Sequence, residues 1–185
     1  MRMHIAVDAH NVLTDRRGIG VYVRAILRRF YGHNGLQVTS LVRHPLPILA
    51  RARVAREIGV SHVHIASKIP RDAEVVWHPW NGMFFSGGRK NVVTMHDVAP
   101  FAFPNPDIER REREQAPFIR SSQHADRIVT DSRFSADEIT AHLGFPSERI
   151  DVVPLAVASF FSAGSGGALP ANLRSGRYVL YVGAI

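Results

Sequence analysis

The sequence predicts an α/β fold, a parallel sheet with helices on both faces. Three observations predict it. Short apolar runs alternate with segments of helical periodicity along residues 4–155. Several of the runs are continuously apolar, as strands covered on both faces require. Hydrophobic residues make up 45% and charged residues 21%, which is the composition of a packed domain rather than of a disordered chain.

The elements follow in order. "HIAVDAH" (4–10) is a strand. "GIGVYVRAILRRF" (18–30) is a helix, because Ile19, Tyr22, Val23, Ile26, Leu27 and Phe30 recur at three- and four-residue spacing with the arginines opposite. "LQVTSLV" (36–42) is the second strand. "PILARARVAREIG" (47–59) is a helix with Pro47 in its first turn and Gly59 as its stop. "SHVHIAS" (61–67), "AEVVWHP" (73–79) and "NVVTM" (91–95) are three more strands, and Val98 to Phe101 leave the last in irregular backbone. "DIERREREQAPFIRSSQHA" (107–125) is a charged helix that Pro117 is expected to kink. "DRIVTDS" (126–132) is a strand. "SADEITAHLG" (135–144) is a helix with a capping box from Ser135 to Glu138 and a terminal Gly144. "RIDVVPL" (149–155) is the seventh strand. Crossovers between neighbouring parallel strands are expected to be right-handed.

From residue 156 the composition turns to Ala, Gly and Ser, which reads as a linker to residue 176. "RYVLYVGAI" then starts a fresh apolar strand at its end (177–185), which fits the first strand of a second domain.

The bulk numbers exclude some function classes. Cysteine is absent, so there is neither a disulfide nor a thiolate metal site. No apolar run approaches the roughly 20 residues that span a bilayer, and the N-terminus lacks a secretion signal, so a cytoplasmic protein is expected. The net charge of +7 favours anionic partners.

In folds of this kind ligands bind beyond the carboxyl ends of the strands. His10, His78, His96 and Ser132 fall at or just past such ends. His96 beside Asp97 could orient a sugar hydroxyl, act as a base or cap the next turn. "RRGIGVY" (16–22) puts Gly18, Ile19 and Gly20 where a loop becomes a helix, which suits either a phosphate or a plain structural turn. Val23 breaks the dinucleotide fingerprint. His62 and His64 share one strand face without a third ligand, so no metal site is expected. Trp77 and Trp80 surround a turn and suit either a sugar or a core. The arginines and glutamates of 107–125 read as a solvated face with intrahelical pairs, or as a surface touching anionic lipid.

"GIGVYVRAIL", "WHPWNG", "VVTMHDVAPFAFP", "ADRIVTDSRFSADEI", "RIDVVPLAV" and "YVLYVGAI", in this order, resemble the N-terminal half of a family 4 retaining glycosyltransferase. The flavour is that of mannosyl- and rhamnosyltransferase-like members building bacterial surface polysaccharides. The resemblance implies half of a GT-B architecture, with residues 1–155 as a Rossmann-like acceptor-side domain and a donor-binding domain opening at residue 177. It implies transfer of a hexose, with retention, from a nucleotide-diphosphate sugar to a glycan or lipid-linked acceptor. No cofactor and no metal are implied, and peripheral contact with the inner face of the cell membrane is. By the same resemblance His96 and Asp97 are catalytic, and Gly18, Ile19, Gly20, His78 and Ser132 contact donor diphosphate or substrate. Val21 and His10 stand where relatives often carry arginine. The chain alone is expected to be inactive. The alternative reading is a basic, non-catalytic α/β module that binds nucleic acid, although no recognition motif for one is present.

Overall fold

The computed structural model describes residues 2–157 except 86, 88 and 89. The expected linker from residue 158 onward and the expected strand 177–185 lie outside the described residues. The chain divides into compact units after Pro154, and the first unit carries the sheet.

Its strands are β1 (Met3–Asp8), β2 (Leu36–Leu41), β3 (His64–Ala66), β4 (Val75–His78), β5 (Lys90–Thr94), β6 (Arg127–Thr130) and β7 (Ile150–Val152). Its helices are α1 (His10–Thr14), α2 (Gly18–Tyr31), α3 (Pro47–Ile58), α4 (Ala99–Ala102), α5 (Ile108–His124) and α6 (Arg133–Leu143), with a 3₁₀ turn at Ser147–Arg149. The sheet is parallel throughout, in the order β3-β2-β1-β4-β5-β6-β7.

Strand alternation explains the two covered faces. Ile5 and Val7 of β1 point one way and join Val23 and Leu27 of α2, Val54 and Ile58 of α3, and Trp77 in one core. Val93 of β5 and Ile128 of β6 join Phe118 of α5 and Ile139 of α6 in a second. Ala6, Leu41, Val76 and Phe85 form a smaller cluster on the reverse of β1. Leu27 has no exposed surface, and burying such a side chain stabilises by about 1.5–3 kcal/mol. At the outer edge Arg127 grips Asp151 at 2.7 and 2.9 Å, fastening β7 to β6, and the hydrogen bond holds the Asp151 carboxyl below its usual range.

The chain leaves β1 toward β2 and β3, then returns to start β4 on the other side of β1. The order therefore switches between β1 and β4, whose register pairs Ile5 with Val75 and Val7 with Trp77. A crevice opens at such a point, outside the carboxyl ends of the two strands.

Four local expectations are corrected. The third strand is three residues long, because as an edge strand it pairs only with Thr39 to Leu41. His10 belongs to α1, whose start turns the chain out of the sheet. The segment after Val98 is the short helix α4, with Pro100 in its first turn. The cap of α6 is Ser132, whose hydroxyl accepts from the Ser135 amide at 3.1 Å, three residues earlier than the predicted box. α5 continues through Pro117, which offers no N–H to the Arg113 carbonyl four residues back.

Candidate functional site

Four strand ends and one helix start meet at the crevice. β1 ends in Asp8, β4 in His78, β5 runs on to His96, β6 runs on to Asp131, and α2 starts at Gly18.

Asp8 is fully buried and works as a hub. One carboxylate oxygen accepts the amide of His10 at 3.2 Å. The other accepts the Trp80 indole N–H at 3.1 Å and the Phe84 amide at 3.4 Å. His78 is equally buried, with Nδ1 3.7 Å from the same oxygen and Nε2 donating to Asn91 at 3.4 Å. His78 has no exposed surface and packs beneath Asp8.

The loop of residues 80–84 is thereby fixed to the sheet. Arg43 donates to the Phe84 carbonyl at 2.7 Å, and the Asn81 side chain accepts the His96 amide at 2.8 Å. Trp80 and Phe84 lie ring against ring, 4.3 Å apart and tilted by 30°. Only glycine fits at position 82, because a Cβ there would lie 2.4 Å from the Trp80 ring.

His96 stands 2.7 Å from Asp131 through Nδ1. An ionised carboxylate only accepts, so Nδ1 carries the proton and Nε2 presents its lone pair. Nε2 is buried and finds no partner among the described protein atoms. The edge of Tyr22 packs against the imidazole, ring centres 5.0 Å apart. Tyr22 shares a hydrogen bond of 3.4 Å with Thr94, which also accepts the Trp77 indole N–H at 2.9 Å. Burial, joined by the negative charge of Asp131, raises the Tyr22 phenol above its ordinary value and outweighs the opposing bond to Thr94. Tyr22 therefore stays a neutral phenol beside His96.

Asp97 points elsewhere. It is exposed, and its carboxylate accepts the Ala99 amide at 3.1 Å, so it caps the turn into α4. Of the three options open for the His96-Asp97 pair, the cap is the contact that Asp97 makes.

The glycines of α2 divide in role. A Cβ on Gly20 would lie 1.9 Å from the Asp15 carbonyl oxygen, so packing requires glycine there. Gly18 is exposed and has nothing within 4 Å of its Cβ position. Asp15 also accepts the Arg17 amide at 2.7 Å, and Arg24 donates to the carbonyls of Val12 and Asp15. No side chain caps the start of α2, which leaves its first amides for a ligand or solvent. Ile19 is half-buried against the core under this turn. Ser132 spends its hydroxyl on α6, next to Asp131.

Asp8, Tyr22, Asn81 and Asp131 belong to this candidate site by their contacts, and the sequence did not single them out. A signal existed for the carboxylates: Asp8 and Asp131 each close an apolar strand, as His96 does.

Elsewhere, His62 and His64 meet edge to face at 4.8 Å, and Arg51 donates to His62. Among the described residues no group of three or more His, Cys, Asp or Glu could hold a metal ion. No helix among them is long and apolar enough to cross a membrane.

No curated protein matches the chain. The model of glycosyltransferase family 4 matches residues 8–158, from the hub carboxylate of β1 to just past β7. That span contains the whole crevice and more than half of the sequence, and the seven-stranded parallel sheet is the α/β, Rossmann-like half of a GT-B fold. The chain belongs to glycosyltransferase family 4.

Proposed function

We propose that this domain is the acceptor side of a retaining hexosyltransferase that uses a nucleotide-diphosphate sugar and a glycan or lipid-linked acceptor. The product belongs to a cell-envelope polysaccharide, and the enzyme works in the cytoplasm, against the inner face of the membrane where the acceptor is lipid-linked. The donor is held mainly by a second domain.

The observation that carries this reading is the His96–Asp131 pair beyond the carboxyl ends of β5 and β6, 2.7 Å apart. Transfer breaks the anomeric C–O bond to the diphosphate and forms a C–O bond to an acceptor hydroxyl. The hydroxyl proton passes to the departing diphosphate oxygen on the same face, so configuration is retained. The positive charge that develops on the sugar and the negative charge on the diphosphate both need fixed partners. Nε2 of His96 accepts a hydrogen bond from a sugar hydroxyl, and Asp131 stabilises any positive charge the imidazole takes on. The uncapped start of α2 at Gly18 and Ile19 turns amides and the positive helix end toward the diphosphate. Gly20 and Ser132 hold the two helix starts in place. Asp97 borders the acceptor from the exposed rim. The reaction as written needs no divalent metal.

The test is sugar transfer by the full-length protein. His96→Ala is expected to lower turnover at least tenfold while thermal unfolding stays within a few degrees of the parent. Unchanged turnover removes the role of His96. An inverted anomer in the product, read by NMR, removes retention.

A further inference from the structure

A second cavity lies behind the loop of residues 80–84. It encloses about 310 Å³ between that loop and α5 and is lined by Trp80, Met83, Phe84, Arg113, Pro117 and Arg120. Its volume is at the small end of ligand sites, roughly what one sugar ring with a substituent fills.

The two walls differ in chemistry. One wall is aromatic: Trp80 and Phe84 are stacked on each other and pinned to Asp8 through the indole and the backbone amide. A side chain at Gly82 would run into the indole, whose outer ring atoms lie 2.4 Å from the Cβ position. Preorganised rings of this kind bind the C–H face of a sugar at little cost in side-chain entropy. The other wall is cationic. Arg113 and Arg120 project from α5 at a spacing of seven residues, about 10 Å along the axis. Both are exposed, and neither side chain makes an ion pair among the described residues. Their helix neighbour Arg110 is neutralised by Glu114 at 2.9 Å. Two unpaired guanidinium groups facing an aromatic pair select a molecule with an apolar face and a negative charge.

We propose that this cavity binds a saccharide carrying a phosphate or carboxylate, its ring on Trp80 and Phe84 and its anion between Arg113 and Arg120. The saccharide identity of the guest rests on the transferase reading. The loop that carries the aromatic wall also carries Asn81, which holds the His96 amide. The cavity therefore shares its loop with the crevice, and negative charge on the acceptor strengthens binding.

Trp77 and Trp80 are the two tryptophans of the chain, so its indole N–H NMR signals are two and can be assigned with Trp80→Phe. Glucose 1-phosphate, methyl glucuronide, methyl glucoside and inorganic phosphate are titrated in turn. Glucose 1-phosphate is expected to move the Trp80 signal saturably and leave that of Trp77 in place. Methyl glucoside is expected to bind about fivefold more weakly, and Arg113→Gln with Arg120→Gln to erase that difference. Equal binding of methyl glucuronide assigns both anions to the cavity, weaker binding assigns phosphate, and either supports the proposal. It is overturned if Trp80 does not respond or methyl glucoside binds equally well. An unaffected double variant, or inorganic phosphate giving the same response alone, overturns it too. The titration reads binding only. A silent Trp80 with His96-dependent transfer intact removes this cavity alone, and a responsive Trp80 without any transfer removes the transferase reading alone.

Discussion

His96 Nδ1 lies 2.7 Å from Asp131 Oδ2, across the gap between the ends of β5 and β6. The two residues are 35 positions apart in the chain, and parallel pairing of Val93 with Ile128 brings them together. Asp131→Asn loses a charge-assisted hydrogen bond and the means of fixing the ring proton. Transfer by the full-length protein is expected to fall roughly 10- to 100-fold. Asp97→Asn keeps an oxygen for the Ala99 amide at the exposed rim and is expected to change turnover by less than about threefold. Steady-state assays of both variants check the contrast.

The two glycines of α2 separate packing from binding. Gly20→Ala drives a methyl group into the Asp15 carbonyl and is expected to cost about 2 kcal/mol or more in urea unfolding. Gly18→Ala meets open space and is expected to leave stability within about 1 kcal/mol of the parent. If its amide receives the diphosphate, the KM for the donor rises in that same variant.

Asp8 ties the loop of residues 80–84 to the sheet. Asp8→Ala orphans the Trp80 indole and the Phe84 amide inside the protein and is expected to destabilise by about 3 kcal/mol. Hydrogen exchange at the Trp80 indole checks the mechanism: its protection should disappear in the variant well below the denaturation midpoint.

Two phenols set the alkaline limit. Burial raises Tyr22 and Tyr31 above their ordinary value of 10.0, and Tyr31 also bonds to Ser40 and to the His64 carbonyl. The unfolded chain loses these protons near pH 10, and the folded chain keeps them longer. Their contribution is whole below pH 10 and is lost as pH rises through the raised folded values. Urea midpoints measured at pH 9 and pH 11 are expected to drop, and Tyr22→Phe with Tyr31→Phe to flatten the drop.

The cap of α6 gives a local check. Ser132→Ala is expected to cost about 1 kcal/mol, and removal of the Ser135 hydroxyl less than half of that, because the Ser135 contribution to the cap is its backbone amide. Chemical denaturation of the two variants decides which residue starts the helix.

Much of the fold was legible in the sequence. Val92, Val93 and Met95 could only be a buried strand, and the spacing of Ile19, Val23, Leu27 and Phe30 could only be one helix face. Strand ends gave His96 its place at the crevice. The partner of His96 was not legible, because adjacency in sequence favoured Asp97 whereas register between β5 and β6 delivers Asp131. Successive residues leaving a strand point to different sides, so neighbours on the chain rarely meet. His78 looked available at a strand end, but β4 lies between β1 and β5, where a side chain has sheet on either side. Tyr22 kept its helix-face position and gained a polar role that only the distance to Thr94 reveals.

The central position of β1 has a consequence for synthesis on the ribosome. β1 is made before the other strands of this sheet, and its β2 neighbour follows closely. Its other neighbour, β4, begins 67 residues after Asp8 (75 − 8), and the indole that satisfies that carboxylate comes 72 residues after it. At ordinary elongation rates this is roughly 4 to 14 s during which a strand destined for the middle of the sheet has one open edge and its carboxylate must stay hydrated. The nascent half-sheet cannot close around Asp8 until the aromatic loop has emerged, so the order of translation makes the surroundings of Asp8 the last part of the early sheet to set.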